Sequence, residues 1–269
     1  MKELKGKVVA LTGAGSGIGR GTAMAMAREG ARLAIADINE DGLNETAAMV
    51  ADAGGEVSTH VLDVSGRDAV DQWASDAISQ HGQVDVVINN AGVTLAATGA
   101  EQSHDDVAWV MNINFWGVVH GTRAFLPHML ERNSGHVVNI SSVFGLFGVP
   151  SQSAYCASKF AVRGYSDSLR VELRDSNVGL TVVHPGGIRT NIVNSARFRM
   201  QGEAAPSRDD FVTGANKMLA RTEPAKAGEL IVNAVRRNKP RLLIGRDAKY
   251  IDFMQRLMPA RFPLMAGAF

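Results

Sequence analysis

Tyr155 is followed four positions later by Lys159, and Ser142 stands 13 positions before it. The chain holds three tyrosines, Tyr155, Tyr165 and Tyr250, and only Tyr155 has a lysine at that offset; Leu169 and Met254 follow the other two. On a helix, a four-residue step puts two side chains on one face. A free phenol has a pKa of roughly 10, so it serves as an acid or base near neutrality only if its surroundings lower that by about three units, ~4 kcal/mol. A neighbouring ammonium supplies roughly one to three of those units, more in a dry site. The chemistry these residues offer is proton transfer at an oxygen, with Tyr155 as acid/base and Lys159 as the tuning charge. On an exposed helix the same pair also arises by chance. Ser142 directly follows the apolar run 137–141, so its hydroxyl emerges at a strand end, where it can donate to a substrate oxygen. Without Tyr155 the simpler reading of Ser142 is a turn or helix cap. The loop 143–150 between them is apolar and offers walls for a dry pocket, Phe144 among them.

A second chemical feature opens the chain. Residues 12–19 read Thr-Gly-Ala-Gly-Ser-Gly-Ile-Gly, between an apolar run and a helical stretch. Gly13, Gly17 and Gly19 permit a tight turn whose N–H groups approach a pyrophosphate, and the helix N-terminus adds partial positive charge. Ser16 and Ile18 complete the turn. Ile18 stands where the usual Gly-x-Gly-x-x-Gly has its third glycine. A glycine-rich turn alone is common; a strand before it and a helix after it make it a dinucleotide signal.

Asp37 ends the second apolar run, at the distance expected for an acid that accepts hydrogen bonds from an adenosine ribose. A 2′-phosphate there would meet like charge, and neither Ser16 nor Ile38 supplies a cation to reverse it. The cofactor expectation is therefore NAD, with NADP second. The alternative for Asp37 is an N-cap of the following helix. Asp63 and Val64 follow the third run, where Asp63 contacts an adenine or merely caps a turn. Asn90, Ala91 and Gly92 follow the fourth, with small residues that let a ring or ribose lie against the backbone; a plain strand-to-loop turn is the alternative. Pro185, Gly186, Ile188 and Thr190 follow the sixth, and 185–187 read otherwise as a turn.

These residues need a scaffold that brings strand ends together. Apolar runs at 7–12, 31–37, 57–63, 84–89, 136–141 and 180–184, with a seventh at 241–245, alternate with helical stretches at 17–29, 39–53, 68–81, 105–131, 153–174 and 224–237. Alternating strands and helices imply an α/β fold with a doubly wound parallel sheet of about seven strands, Rossmann-type, with helices on both faces. No internal repeat or linker divides the chain, so residues 1–269 read as one domain. The least patterned stretch, 187–222, is placed as a substrate-covering segment or an ordinary surface excursion. The C-terminal segment 246–269 carries Ile251, Phe253, Met254, Leu257 and Met258 beside Arg256 and Arg261. It docks on a partner subunit, covers a pocket, or lies on a membrane surface, in that order of expectation.

Composition narrows the class. Of the 269 residues, 45% are hydrophobic and 20% charged, and the net charge is +1, which argues against disorder and against nucleic-acid binding. The single cysteine, Cys156, allows no internal disulfide and reads as packing; with no signal-peptide pattern and no apolar run near the roughly 20 residues of a membrane span, a cytoplasmic location is expected. His184 has no ligand pattern around it, so no metal site is expected.

Taken together, 12–19, Asp37, Asp63, 89–92, Asn114-Phe115-Trp116-Gly117, Ser142, Tyr155–Lys159 and 185–190 resemble the short-chain dehydrogenase/reductase family over essentially the whole chain. The resemblance implies an oxidoreductase that moves a hydride between NAD(H) and a carbonyl or secondary alcohol. It implies that Tyr155 exchanges the proton, Lys159 tunes it and binds the nicotinamide ribose, and Ser142 holds the substrate oxygen. Asn114 is implied to hold a water that links Lys159 to solvent; from the sequence alone it is a polar residue in an apolar helix. Ile188 is implied to offer its backbone to the carboxamide and Thr190 to reach the pyrophosphate or carboxamide. A homodimer or homotetramer built on the helices of Asn114 and Tyr155 is implied as well. Leu95, Val143, Phe144, Leu146, Phe147, Val149 and Phe198 suggest an apolar substrate, or simply core. Arg197 and Arg199 read as solvated, or as contacts for an anionic group. An NADPH-dependent carbonyl reductase and a non-catalytic dinucleotide-sensing or scaffold protein are the competing readings.

Overall fold

Short apolar runs separated by helical stretches leave no room for hairpins, so each strand pairs in parallel with one reached through a crossover. The computed structural model describes residues 1–201, 205–219, 222–262 and 264. The strands of the main sheet are β1 (Val8–Thr12), β2 (Arg32–Asp37), β3 (Val57–Val61), β4 (Val86–Asn89), β6 (Gly135–Ile140), β7 (Val178–Pro185) and β9 (Arg241–Ile244). Their order is β3-β2-β1-β4-β6-β7-β9, and every pairing is parallel. The seven-stranded Rossmann-type sheet expected from the sequence is present.

One face is covered by α1 (Gly17–Arg28), α2 (Glu40–Asp52) and α8 (Pro224–Arg236), packed on Val9, Leu11, Leu33 and Ile35. The other is covered by α3 (Arg67–His81), α5 (Gly117–Glu131) and α6 (Ser153–Glu172), packed on Val8, Ala10, Val87 and Val137. Trp73 and Phe125 meet edge to face at 5.2 Å and pin α3 to α5. Strands β1 and β4 are buried along their length, as strands covered on both faces must be. Strand β3 is not: at the sheet edge it is half-exposed, and it stops at Val61, short of the 57–63 expected.

Three expectations are corrected. The helix read as continuous over 105–131 is α4 (His104–Met111), a π turn (Asn112–Trp116) and α5. The stretch 187–222 is not unpatterned: it holds β8 (Arg197–Phe198) and α7 (Arg208–Leu219). Strand β8 pairs with β5 (Leu95–Ala96) in a second, two-stranded sheet, so the segment is tied to the stretch after β4. The C-terminal stretch forms α9 (Arg246–Leu257), whose Ala248, Ile251, Met254 and Met258 pack with Phe262 on Val143 and Phe147. Within the chain, this segment packs on the loop after β6. No described helix is long and apolar enough to cross a membrane.

Candidate active site

The order of the sheet reverses between β1 and β4, and the crevice outside their carboxyl ends is where such folds take ligands. The glycine turn after β1 sits there. Gly13 and Gly17 adopt positive φ, 67° and 51°, which glycine reaches without strain. A Cβ on Gly13 would lie 2.7 Å from the Asn90 amide nitrogen, and one on Gly19 would strike the Gly13 carbonyl. Ser16 is the N-cap of α1 yet makes no side-chain cap, and among the described residues the N–H groups of Gly17, Ile18 and Gly19 have no acceptor. The turn therefore presents three free donors at a helix N-terminus, the chemistry that holds a pyrophosphate.

Asp37 closes β2 beside this turn. Its Oδ2 accepts from the Gly15 N–H at 2.8 Å and its Oδ1 from the Asn39 N–H at 2.9 Å. It is not the N-cap of α2; Asn39 is, accepting from Gly42 N–H. Each carboxylate oxygen keeps a lone pair for a further donor. Arg20, which sequence reasoning passed over, is a cation at the same turn. Its guanidinium is engaged by the Gly15 carbonyl and the Glu45 carboxylate, both at 2.6 Å. Asp63 is exposed and accepts from the Ser65 N–H, which is turn capping. Val64 is buried beneath Gly117, and its carbonyl is held by His120 at 3.1 Å.

The loop after β4 is fastened to both neighbours. The Thr12 hydroxyl accepts from the N–H groups of Asn90 and Ala91, and the Asn90 amide donates to the Thr12 and Gly13 carbonyls at 3.0 Å. Asn90 thus braces the glycine turn with its side chain. Asn114, fully buried in the π turn, accepts from the Val93 N–H at 2.8 Å and donates to the Val93 carbonyl and the Ser158 hydroxyl. Both its donor hydrogens are used, and Oδ1 keeps one lone pair. Gly92 passes between: a Cβ there would come within 3.2 Å of Asn114 Oδ1 and 3.4 Å of Lys159 Nζ. Below, Asn89 donates to Thr122 and Asn139, and Asn139 donates to Ser166. This buried network joins β4, β6, α5 and α6, the elements that carry the reactive groups.

Tyr155 and Lys159 lie in α6, with Lys159 Nζ 5.7 Å from the Tyr155 ring centre. Lys159 is buried and donates to the Ile140 carbonyl at 3.1 Å, next to Ser141, whose hydroxyl donates back to the Lys159 carbonyl. Ser142 is buried at the end of β6 and faces Tyr155, while its Oγ accepts from the Phe144 N–H. Ser142 caps the turn 143–145, and its hydroxyl also faces the phenol. Phe144 meets the Tyr155 ring edge to face at 6.2 Å. Burial drives the phenol up to about 12, with contact from Ser142 pulling it partly back. Burial also lowers the Lys159 ammonium to about 8. Within the chain itself, burial of the phenol thus acts against the downward shift expected from Lys159.

The turn after β7 completes the rim. The Gly187 N–H donates to Asp247 of α9 at 2.6 Å, a tie across 60 residues that no local pattern announces. Pro185 ends β7, and the Gly186 N–H bonds to the Ile244 carbonyl. Ile188 bridges to Thr222, but the bonds run through Gly187 and Arg189. Among the described residues, the Ile188 N–H and carbonyl are free. Thr190 reaches the glycine turn, where a Cβ on Gly17 would touch its methyl at 3.0 Å.

Several expected pocket walls are core instead. Leu95 packs with Ala97, Val110 and Ala154, while Val143 and Phe147 pack under α9. Leu146 is buried, and Phe198 lies against Phe211 of α7. Arg197 and Arg199 remain partly solvated, and both bond to the buried Asp106 carboxylate, which occupies them in place of an external anion. Cys156 is buried and its thiol is pushed up by burial, which suits packing. His184 donates from Nδ1 to the Ser142 carbonyl, and burial lowers it to about 4, so it is neutral. No cluster able to hold a metal occurs among the described residues.

Residues 7–201 match the family model for short chain dehydrogenases. SadH of Mycobacterium tuberculosis, an oxidoreductase by name, is 39% identical over 270 residues, covering 100% of this chain and 96% of its own. A short-chain dehydrogenase/reductase from Burkholderia phymatum, solved in complex with NAD, superposes with a TM-score of 0.88 at 33% identity over 96% of each chain. A short chain dehydrogenase from Mycobacterium paratuberculosis, bound to NAD, superposes with a TM-score of 0.79 at 25% identity, over 92% of this chain and 99% of its own. With the sheet, the glycine turn and the Tyr155–Lys159 helix on one crevice, the chain belongs to the short-chain dehydrogenase/reductase family of oxidoreductases.

Proposed function

We propose that this oxidoreductase interconverts a secondary alcohol and its carbonyl on an apolar substrate, using NAD(H), with Tyr155 as general acid/base. The observation that carries the reading is the convergence of the Ser142 hydroxyl, the Tyr155 phenol and the Lys159 ammonium beside a helix N-terminus with three free N–H groups.

In reduction Tyr155 Oη donates its proton to the carbonyl oxygen; in oxidation it takes the proton of the alcohol. Ser142 Oγ already accepts from the Phe144 N–H, so its own hydrogen is left to donate to that same oxygen. Lys159, with its ammonium at about 8, is mostly charged at neutral pH and favours the phenolate, while burial opposes it. Bound NAD(H) would supply or accept the hydride and, when oxidised, would add the second positive charge that a phenol at about 12 needs. Gly17, Ile18 and Gly19 would hold its pyrophosphate, Thr190 would close on it, and the free Ile188 backbone would meet the carboxamide. Asn114 holds the loop after β4 against α6; with both donors used, its part in a water relay from Lys159 is limited to its acceptor.

Asp37, with a lone pair left on each oxygen, supports NAD over NADP, and the pairing of Arg20 with Glu45 keeps that cation from serving a 2′-phosphate. Phe144 against Tyr155 supports an apolar substrate. We read residues 1–269 as one cytoplasmic domain. Exposed Trp116, Phe160 and Val171, on the π turn and α6, support a homodimer or homotetramer through those helices. The test is Tyr155→Phe: turnover of apolar alcohols and ketones should fall at least ~100-fold while NADH still binds. Undiminished turnover overturns the mechanism. Wild-type protein that binds NADH but turns over nothing in a broad panel favours a dinucleotide sensor.

A further inference from the structure

Helix α9 has two apolar faces. Ala248, Ile251 and Met254 point inward and pack on the loop after β6. Tyr250, Phe253 and Leu257, spaced three and four apart, share the neighbouring outer face and are 60%, 62% and 64% exposed. Leu264 beyond the helix is exposed too. Single exposed apolar residues need no explanation, but a stripe of them along one helix does.

Charge surrounds the stripe. A cleft of about 860 Å³ runs along the free edge of β9, between α8 and α9, and is lined by Lys226, Lys239, Arg241, Arg246 and Lys249, with Asp247 the one acid among them. The acids of this region are engaged within the chain: Asp247 by the Gly187 N–H, Asp252 by Arg241 and Arg256, and Glu229 by Lys226. Lys239, Arg246 and Lys249 make no ion pair among the described residues. Arg246 lies one turn before Tyr250, on the face of the stripe itself.

We propose that α9 and this cleft dock the protein on an anionic lipid bilayer, with Tyr250, Phe253 and Leu257 entering the interface and Arg246, Lys249 and Lys239 meeting headgroup phosphates. An exposed apolar stripe flanked by cations, on a helix too short and too charged to span, is the pattern of an interfacial helix. A second copy of this chain fits the same face poorly, because Lys239, Arg246 and Lys249 outnumber Asp247, the acid there without an ion pair among the described residues, and two such faces would oppose like to like. The docking does not rest on the assignment of the reaction. It does place the membrane behind the wall of Val143 and Phe147, next to the Phe144 ring that abuts Tyr155.

The test is co-sedimentation of the full chain with phosphatidylcholine vesicles, with and without phosphatidylglycerol, across a range of salt. Binding should require phosphatidylglycerol and weaken as salt rises. Phe253→Ser with Leu257→Ser should lower the partition coefficient at least ~10-fold, and Arg246→Glu or Lys249→Glu about fivefold or more each. These side chains are exposed, and circular dichroism with NADH titration checks that each variant is folded. The proposal is overturned if the wild type ignores phosphatidylglycerol. It is equally overturned if the stripe variants bind vesicles as the wild type does, or if they reduce the oligomeric state in light scattering without changing vesicle binding.

Discussion

Lys159 Nζ lies 5.7 Å from the centre of the Tyr155 ring and donates to the Ile140 carbonyl at 3.1 Å, a buried ammonium held between a strand end and a phenol. The arrangement is unfavourable for the fold. Burial lowers the ammonium from 10.5 to about 8, so the unfolded chain binds more protons than the folded one between those values. Stability therefore rises as pH climbs from about 8 towards 10.5, and below pH 8 the full cost of the buried charge, about 3 kcal/mol, is present. Lys159→Met should gain about 2 kcal/mol at pH 7, less than the full cost because the bond to Ile140 is lost. The gain should shrink as pH approaches 10.5, and activity should collapse. Urea unfolding at a series of pH values checks this; a variant less stable than wild type at pH 7, or a gap independent of pH, would contradict it.

Much of this site is legible in the sequence. Gly13 to Gly19, Asp37, Ser142 and the Tyr155–Lys159 step are local patterns, and alternating apolar runs put their strand ends on one edge. The rest depends on contacts between distant segments. Nothing local marks the π turn at Asn114, whose reason is the clamp on Val93 made 21 residues away. Strands β5 and β8 have two residues each, too short for any periodicity. Asp247 and Thr12 organise the rim through backbone groups, which a reading of side-chain types overlooks. Helix α7 does carry a local signal, since the Ser207 hydroxyl accepts from the Asp210 N–H as an N-cap does, while donating to the Asp210 carboxylate. The direction of the Tyr155 shift has none, because burial is a property of the packed chain.

The proposed preference for NAD rests on Asp37. Its carboxylate sits within reach of the turn, bonded to Gly15 N–H at 2.8 Å, and has acceptor capacity left for two ribose hydroxyls. Hydrogen bonds to a charged group contribute about 1.5–3 kcal/mol each. Asp37→Ala should weaken NADH binding ~10- to 100-fold and narrow the gap to NADPH, because the repulsion of a 2′-phosphate goes with the charge. Fluorescence titration with both dinucleotides measures it. A wild-type preference for NADPH would defeat the assignment.

Asn114 ties the loop after β4 to α6, so the proposed role for it is positioning. Replacing it by Ala leaves the Val93 N–H and carbonyl without their partners and opens a hole beneath Gly92, beside Lys159. The cost should be about 2–4 kcal/mol of unfolding free energy. Activity should fall mainly in kcat, since Val93 and Ser158 hold the loop and helix that carry the proton-transfer groups. Asn114→Asp keeps the acceptor for the Val93 N–H but loses both donors, so it should restore only part of the loss. A KM effect alone, with kcat and stability intact, would show that the clamp does not position the reactive groups.

Asp106 latches the segment after β7. Buried in α4, it accepts from Arg199 at 3.2 Å and from Arg197 at 3.5 Å, and Arg197 also stacks on the Trp109 ring at 3.7 Å. These bonds hold β8 against β5, which leads back through Thr94 and Gln152 to the N-terminus of the Tyr155 helix. Bonding to Arg199 and Ser103 holds the Asp106 carboxyl below the usual range. Its stabilising effect is therefore complete above about pH 4 and is lost only as pH falls through the depressed value, so the latch stays charged at neutral pH. Both arginines are partly exposed, and solvent screening limits the latch to about 1 kcal/mol. Asp106→Ala should raise the substrate KM about fivefold while the NADH affinity stays unchanged, because neither Asp106 nor its two arginines bonds to the glycine turn. Trypsin should also cut after Arg197 or Arg199 faster in the variant, since cleavage follows local opening. Equal cleavage rates and an unchanged KM would mean that β5 and β8 hold the segment without Asp106.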